Sequence, residues 1–389
     1  MAGVDCHVAI VGAGLVGASL AAALGRAGLE VVLVEPAPPA APAAQWDARI
    51  YAIGPAARDF LGALGVWDAL DAARIQPVAR MAIFGDAAGS RLEFSAYEAG
   101  IGALAHIAES ARLAHALWDA LGRTPGVRRL APARCADLAV DARGASLALE
   151  GGATVRTELV VGADGAQSWV RRAAGLTARA TSYGELGVVA NFAAAAPHGA
   201  TAFQWFRPDG VLAWLPLPGN RMSMVWSTAD AHARELLELP ADRLCRRVGE
   251  AGRAALGGLE LVTPARGFPL QRLTAESMIA PRVALVGDAA HVVHPLAGQG
   301  VNLGFGDAQA LARALEGREP FRDCGDRAVL RRYERSRAEA ILALRSVTDG
   351  LARLFAAPGA AAARARNLGL SLTDRSALVK NLLVARAIA

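Results

Sequence analysis

Apolar positions near the N-terminus follow the spacing of a strand, a helix and a second strand. Residues 7–11 and 31–34 are short apolar runs, which are typical of buried strands. Residues 18–27, which lie between them, have the composition and length of a helix. This order predicts an α/β unit at the start of the chain. Residues 154–161 and 283–286 have the same apolar character and are predicted to be further strands.

The middle of the chain shows a different pattern, in which apolar and polar residues alternate. Residues 202–206, 211–215 and 222–227 follow a period of two and are separated by Pro-Asp-Gly and Pro-Gly-Asn turn sequences. Residues 81–84 and 91–94 show the same pattern around a glycine-containing turn. We therefore predict a mainly antiparallel sheet in addition to the N-terminal α/β unit.

The turn between the first strand and the first helix has the sequence Gly-Ala-Gly-Leu-Val-Gly at residues 12–17. Glycines at these three positions permit a tight turn, a close approach of the backbone to a pyrophosphate, and close packing of helix on strand. Glu35 ends the second strand, 21 residues beyond Gly14, at the spacing of an acid that binds ribose hydroxyls. We predict a Rossmann-like site for a dinucleotide with an unphosphorylated ribose, such as FAD or NAD. The candidate binding residues are Gly12, Ala13, Gly14, Val16, Gly17 and Glu35.

A second glycine-rich segment follows the strand predicted at residues 283–286. That strand runs into Gly287 and Asp288, so an acid lies at its carboxyl edge, where open α/β sheets bind ligands. The sequence Gly-Gln-Gly at 298–300 then precedes a helix predicted over residues 302–315. Glycines at a helix start let backbone N–H groups approach a ligand, and the helix N-terminus adds positive potential. A ligand that becomes anionic would be stabilised there.

These segments together resemble one protein family. The sequence Gly-Asp-Ala-Ala-His at 287–291, with Pro295, the Gly-Gln-Gly at 298–300, Asn302 and Asp307, is similar to the flavin motif of the FAD-dependent aromatic hydroxylases, the class A flavoprotein monooxygenases. Residues 294–304 resemble the branch that hydroxylates polyprenylated phenols on the way to ubiquinone. The resemblance extends from Gly12 to the segment around Tyr333.

The resemblance implies an architecture like that of p-hydroxybenzoate hydroxylase, with a discontinuous FAD-binding domain. We expect this domain at residues 1–75, 98–178 and 277–335. A substrate-binding sheet domain would occupy residues 76–97 and 179–276, and a basic helical tail residues 336–389.

The resemblance also implies roles for individual residues. Asp47-Ala48-Arg49 is similar to an Asp-x-Arg segment that places Arg49 near the flavin or its phosphates, the alternative being a solvated loop arginine. Asp164 and Gly165 match an Asp-Gly motif near the FAD pyrophosphate and the nicotinamide nucleotide, and Ser168 is predicted to cap the next helix. The flavin's reacting face is assigned to Pro295, Gly298, Gln299 and Gly300, and further cofactor contacts to Gly287, Asp288, Val301 and Asn302.

The reaction implied is hydroxylation of a polyprenylated phenol by tightly but non-covalently bound FAD through a flavin C4a-hydroperoxide, with NAD(P)H and O2 as co-substrates. The sequence contains one dinucleotide fingerprint, so we expect NAD(P)H to bind transiently. Two alternatives stay open, namely a hydroxylase of another apolar aromatic compound and a non-catalytic flavin-binding subunit of a quinone-synthesis complex. We interpret His291 and His294 as structural residues and not as catalytic bases.

Aromatic residues concentrate in the alternating middle segment. Phe203, Trp205, Trp214 and Trp226 could line a cavity for a bulky apolar substrate. Ordinary sheet core is an equally good interpretation of each residue taken singly, and only their clustering favours a pocket.

Composition narrows the remaining possibilities. The 389 residues are 53% hydrophobic and 20% charged, as expected of a globular protein with a large core. The four cysteines are scattered and indicate neither a disulfide framework nor a metal site. The uncharged stretch at residues 8–25 contains the glycine turn and lacks a preceding basic region, so we predict neither export nor a membrane span. We expect a cytoplasmic location.

The C-terminal segment is strongly basic. Of the net charge of +5, residues 360–389 contribute +4, and six leucines supply an apolar side. Such a segment could bind the anionic inner face of a membrane, or it could cover the FAD domain or contact another subunit. No sequence pattern indicates nucleic-acid binding.

Overall fold

The computed structural model describes residues 4–85, 90–293 and 299–356 and shows a mixed α/β architecture, as predicted. The helices are α1 (Leu15–Arg26), α2 (Pro55–Ala63), α3 (Ser110–Arg123), α4 (Trp169–Ala173), α5 (Asp230–Glu238), α6 (Ala241–Ala251), α7 (Gly300–Glu316) and α8 (Arg327–Ala356). The strands are β1 (Val4–Val11), β2 (Val31–Val34), β3 (Ile50–Ile53), β4 (Gln76–Val78), β5 (Arg80–Phe84), β6 (Arg91–Ser95), β7 (Ala105–Glu109), β8 (Val127–Leu130), β9 (Cys135–Val140), β10 (Ala145–Leu149), β11 (Thr154–Gly162), β12 (Ala178–Ala194), β13 (Thr201–Arg207), β14 (Gly210–Leu217), β15 (Arg221–Ala229), β16 (Leu259–Leu261), β17 (Arg266–Ala275), β18 (Ile279–Ala280), β19 (Val283–Leu285) and β20 (His291–Val292).

The first sheet has the order β18-β19-β11-β1-β2-β8, with β10 and β9 continuing from β11. The strands β19, β11, β1, β2 and β8 are parallel, so their carboxyl ends meet at one edge. Val11 pairs with both Gly162 and Val34, and Gly162 pairs with Leu285, which places the ends of four strands side by side. This edge therefore brings together the turns that follow residues 11, 34, 162 and 285.

The second sheet has the order β20-β17-β12-β15-β14-β13-β5-β6, and β16 pairs with β12. Most of its pairs are antiparallel, as the alternating pattern predicted, although β13 and β5 are parallel. The helices α5 and α6 pack on one face and share a core with it that includes Phe192, Leu236 and Val248. The other face lies toward residues 46–52 and the small sheet β3-β7-β4.

The helices and strands of the motif-bearing segments were predicted well, but those of the second sheet less so. The strand β2 has the predicted bounds, and α7 begins two residues before the predicted start because Gly300 and Val301 are already helical. The sequence interpretation missed α5, α6 and β17. The spacing of Leu244, Val248 and Ala251 in α6 was an available helical signal.

Candidate active site

The glycine turn after β1 packs tightly against the rest of the protein at Gly12 and Gly17, but it has free space beside Gly14. A Cβ on Gly17 would lie 2.0 Å from the carbonyl oxygen of Gly12, and one on Gly12, where φ is +103°, would lie 2.5 Å from that of Ala163. A Cβ built on Gly14 meets no described atom within 4 Å. Gly14 is also the N-cap of α1 and provides no side-chain cap, so no N-cap side chain competes with a ligand for the first N–H groups of this helix. Such a turn has both the space and the donors for a pyrophosphate.

Glu35 lies at the same edge and is fixed by the backbone. Its Oε2 accepts a hydrogen bond from the N–H of Ala13 at 2.6 Å, and its Oε1 accepts one from that of Ala37 at 2.9 Å. Each carboxylate oxygen keeps a second lone pair for a donor such as a ribose hydroxyl. The predicted acid therefore lies beside the predicted glycine turn.

Asp164 follows β11 and contacts the next turn of the chain. Its Oδ2 accepts hydrogen bonds from the N–H groups of Trp169 (2.7 Å) and Val170 (3.0 Å). Its Oδ1 is buried and has no hydrogen-bond partner in the described part of the chain, so one acceptor is available to a ligand donor. Gly165 forms the adjoining turn with φ +79°, and Ser168 caps α4 as predicted by accepting from Arg171 N–H.

Asp288 lies in the short turn Gly287–Ala289 after β19, and its side chain is exposed. Although it is exposed, surrounding protein limits its hydration, and this desolvation raises its pKa above the ordinary value, opposed by His291 and Arg49. Asp288 is therefore an exposed carboxylate with protein close around it. Gly287 has φ +60°, a conformation that favours glycine.

Arg49 lies near enough to Asp288 for its charge to act on that carboxylate. Its guanidinium carbon lies 5.5 Å from the Tyr51 ring and 5.9 Å from the Phe268 ring, and its charge lowers the pKa of Asp288. The backbone of its loop is held by Asp47, whose Oδ1 accepts from Arg49 N–H at 2.9 Å. The arginine is exposed, so the geometry is compatible with binding an anionic group as well as with solvation. Sequence reasoning missed Tyr51 and Phe268, because neither belongs to a recognisable motif.

The start of α7 contains the last group of predicted residues. Pro295 and Gly298 lie outside the described residues. Gln299 is the N-cap of α7, Val301 is half-buried against the core of the first sheet, and a Cβ on Gly300 would meet no described atom within 4 Å. The Asn302 side chain accepts from Gly54 N–H at 3.0 Å and donates to the Ala52 carbonyl at 2.9 Å. It therefore connects α7 to the end of β3, a contact that the motif alone did not predict.

The aromatic residues of the second sheet are not where a pocket facing the first sheet needs them. Trp205, Trp214 and Trp226 are at most 2% exposed and pack on the face covered by α5 and α6. Phe203 stacks on Trp205 on the same face, with ring centroids 5.7 Å apart. The structure places these four residues in the core between the second sheet and the helices α5 and α6, as the core interpretation expects, and not on the face toward the first sheet. Their clustering in sequence could not reveal which face the helices cover.

A buried cluster behind Asp288 was also missed. Asp307 in α7 is fully buried, and it binds His291 and Arg337. Burial raises its pKa, but these two neighbours outweigh that effect and the net shift is downward. The available signal was a single acid between Leu303 and Leu311 on the apolar side of the helix.

This arrangement fits FAD. The glycine turn, Glu35, the unpaired oxygen of Asp164 and the exposed Asp288 form one continuous polar edge, which is the arrangement of a flavin-dinucleotide oxidoreductase. The family described as FAD binding domain matches residues 5–346, and the chain belongs to this family. It is an FAD-dependent monooxygenase.

Three known proteins illustrate the relationship. The chain is 38% identical to ubiquinone hydroxylase UbiL of Rhodospirillum rubrum over 98% of this chain and 89% of that protein. It is 36% identical to 3-demethoxyubiquinol 3-hydroxylase of Escherichia coli over 96% of each chain. Among solved structures, Pseudomonas aeruginosa PqsL in complex with 2-aminobenzoylacetate has a TM-score of 0.77 and 26% identity, covering 95% of this chain and all of that one.

None of the helices within residues 4–85, 90–293 and 299–356 has the length and apolar character needed to span a bilayer. In the same ranges, no three His, Cys, Asp or Glu side chains are grouped so that they could hold a metal ion.

Proposed function

We propose that this enzyme hydroxylates the ring of an apolar polyprenylated phenol in ubiquinone biosynthesis. The observation that carries the proposal is a partly exposed row of apolar residues on the face of the second sheet that lies toward the loop containing Arg49. Val189, Val225 and Ala213 are directly paired across β12, β15 and β14, and all three are half-buried. Paired residues share a face, and this is the face from which Asn191 reaches the loop containing Arg49. An apolar substrate ring would fit between that surface and the flavin site.

The chain's own residues would have distinct tasks in this reaction. When bound, FAD supplies the redox chemistry, since it accepts a hydride from NAD(P)H and activates O2. The turn at Gly14 and the N-terminus of α1 would bind the pyrophosphate, Glu35 the ribose and Asp288 the ribityl chain. The N-terminus of α7 at Gly300 would stabilise negative charge on the flavin ring. The apolar face of the second sheet would keep water from the reacting atoms.

The proposal keeps the division of the chain made from the sequence, with two adjustments at its boundaries. The strand β4 pairs with β7, so residues 76–78 belong beside the small sheet and not in the second sheet. The strand β20 pairs with β17, so residues 291–292 are shared with the second sheet. Both adjustments affect the junction of the two regions, where we place the substrate.

The test is anaerobic reduction of the bound flavin by NAD(P)H, with and without a short-chain prenylphenol. We expect the phenol to accelerate bleaching of the flavin absorption, and aerobic reaction mixtures to contain the phenol with one added oxygen atom. Bound flavin that is reduced at the same rate with and without the phenol, and no hydroxylated product, would contradict the proposal and favour a non-catalytic flavin-binding subunit.

A pair of matched variants tests the position of the substrate. Val225→Asn places a polar group on the proposed substrate surface, whereas Val140→Asn makes the same change at a valine of β9 that is 41% exposed. We expect Val225→Asn to raise the KM for the prenylphenol about tenfold, because burying an amide without a partner costs about 1–3 kcal/mol. Val140→Asn should leave KM unchanged. Equal values of KM for the two variants would move the substrate away from this face.

We also propose that the basic segment 360–389, which lies outside the described residues, binds anionic lipid and brings the enzyme to its apolar substrate. The support is its charge of +4 and its leucines. Sedimentation with anionic vesicles, lost when Arg364, Arg366, Arg375 and Lys380 are replaced by Gln, would agree with this role. Equal sedimentation with neutral vesicles would contradict it, and capture of other quinone-synthesis enzymes without lipid would favour a protein complex.

A further inference from the structure

The buried carboxylate of Asp307 makes three polar contacts with separate parts of the chain. Its Oδ2 accepts a hydrogen bond from Gly287 N–H at 3.0 Å and lies 2.6 Å from His291 Nε2. Its Oδ1 accepts one from Arg337 Nε at 2.7 Å. These partners belong to the turn that carries Asp288, to β20 and to α8. Asp307 therefore joins the candidate flavin site to the C-terminal helix.

Stability alone does not explain this arrangement. A buried ion pair recovers little more than its own desolvation cost, and apolar residues of similar volume often stabilise a core equally well. The neighbouring buried positions Leu303, Ala308 and Leu311 of α7 show that apolar packing is what this side of the helix otherwise provides. What an apolar residue could not provide is an acceptor for Gly287 N–H, which fixes the backbone next to Asp288.

The turn is held at its other end as well. Arg171 is buried, and its Nη1 donates a hydrogen bond to the Ala289 carbonyl at 2.7 Å. The backbone groups on both sides of Asp288 thus have charged partners, one from α7 and one from α4. A loop held at both ends loses little entropy when its central side chain binds a ligand.

We propose that Asp307 is a positioning residue that fixes the Gly287–Ala289 turn so that Asp288 presents its carboxylate to the ribityl hydroxyls of FAD. This inference rests on the proposed role of Asp288. Asp307 itself does not contact the flavin. Its effect on cofactor binding passes through Asp288, and Arg337 extends the same control to α8.

The proposal is tested by a double-mutant cycle on the FAD dissociation constant of the apoprotein, measured by the quenching of flavin fluorescence. Asp288→Ala should weaken FAD binding at least about tenfold, as expected for the loss of hydrogen bonds to a charged group. Asp307→Asn should weaken it by a similar factor, because the amide has one acceptor oxygen and cannot accept from both Gly287 N–H and Arg337 Nε. The double variant should bind FAD no more weakly than Asp288→Ala alone, because Asp307 acts only through Asp288.

A residue that merely stabilises the fold would give a different result. Its effect on the FAD dissociation constant would be independent of Asp288, so the factors of the two single variants would multiply in the double variant. The control is Asp209→Asn, which removes a carboxylate bound to Arg207 in the second sheet at 2.7 Å. It should lower thermal stability without changing FAD affinity. If Asp307→Asn does not fold, the same cycle with Arg337→Gln carries the test.

The outcomes separate this inference from the proposed function. If Asp288→Ala does not weaken FAD binding, the proposed role of Asp288 is wrong and the inference fails with it. If Asp288→Ala weakens binding but Asp307→Asn does not, or if the two effects multiply, the inference is overturned while the proposed role of Asp288 stands.

Discussion

The carboxyl edge of the first sheet and the helix-covered face of the second sheet are built in opposite ways. At the edge, Asp288 is exposed, Asp164 keeps a buried oxygen without a partner in the described residues, and Gly14 borders free space. On the helix-covered face, Trp214 and Trp226 are completely buried among apolar side chains. The Nε1 atoms of both tryptophans likewise have no hydrogen-bond partner in the described residues, so an unpaired atom alone does not separate the two regions. The difference is that the first region has exposed acids and free space, whereas the second has filled its space.

This difference indicates which regions of the molecule are suited to bind a ligand. An exposed acid and an unpaired carboxylate oxygen at the ends of parallel strands, with free space beside a glycine, together indicate a ligand site. Large buried aromatic residues indicate stability unless a cavity opens beside them. In the second sheet, we therefore propose the opposite face as the substrate surface, where smaller residues such as Val189 and Ala213 stay partly accessible.

The largest effect on stability should come from removing a large side chain from the core between the second sheet and its helices. The Trp214 ring lies 4.9 Å from that of Trp205 and leaves no room for a Cβ on Gly252, which would approach it to 2.1 Å. We expect Trp214→Ala to lower the free energy of unfolding by about 3–5 kcal/mol. Thermal unfolding of the apoprotein measures this loss. The FAD affinity of the folded fraction should not change.

The control for this prediction is Trp118→Ala, at a half-buried tryptophan of α3 that packs against Arg129. Its loss of stability should be clearly smaller. If Trp214→Ala instead raised the KM for the phenol with little loss of stability, the helix-covered face would be part of the substrate site and the comparison would fail.

How far the sequence predicted the structure depends on the range of the interactions involved. The turns at residues 12–17 and 287–289 and the helix after Gly300 depend on neighbouring residues, and their positions were predicted closely. The faces of β13 to β15 depend on where α5 and α6 pack, and no local pattern contains that information. The bond between Asp307 and Arg337 joins residues 30 positions apart, and it was likewise missed.

An intermediate effect on stability should distinguish Gly17, which is in close contact with the protein, from Gly14, which borders free space. Gly17→Ala places a methyl group 2.0 Å from a backbone oxygen, so the turn must shift, and we expect a loss of about 1–3 kcal/mol in stability. Gly14→Ala meets no described atom and should change stability by less than about 0.5 kcal/mol. It should nevertheless weaken FAD binding about tenfold or more, because its methyl group occupies the space predicted for the pyrophosphate.

Calorimetry of the apoprotein and titration with FAD measure the two quantities separately. Two identical substitutions, three residues apart, should thus affect different properties. A Gly14→Ala variant that binds FAD normally would show that the free space at this turn is not the pyrophosphate site.

The smallest effect concerns Asp288 and Asp307, whose pKa values are shifted in opposite directions. The pKa of Asp288 is raised, so its contribution to stability is present below its ordinary pKa and is lost as pH rises through the raised value. The pKa of Asp307 is lowered, so its contribution is present above the ordinary value and is lost as pH falls through the lowered one. The apoprotein therefore carries at neutral pH a small cost for keeping Asp288 ionised.

Asp288→Asn should remove that cost and raise the melting temperature of the apoprotein at pH 7 by no more than about 2 °C, because the group is exposed. The gain should disappear as the pH falls through the raised pKa of Asp288 and the wild-type carboxyl becomes protonated, while FAD affinity falls at every pH at which that carboxylate is ionised. Asp307→Asn should do the reverse and lower the melting temperature most at neutral pH. If Asp288→Asn also destabilised the apoprotein at pH 7, Asp288 would be a structural residue like Asp307. The carboxyl edge of the first sheet would then lose its most exposed candidate for a cofactor-binding residue.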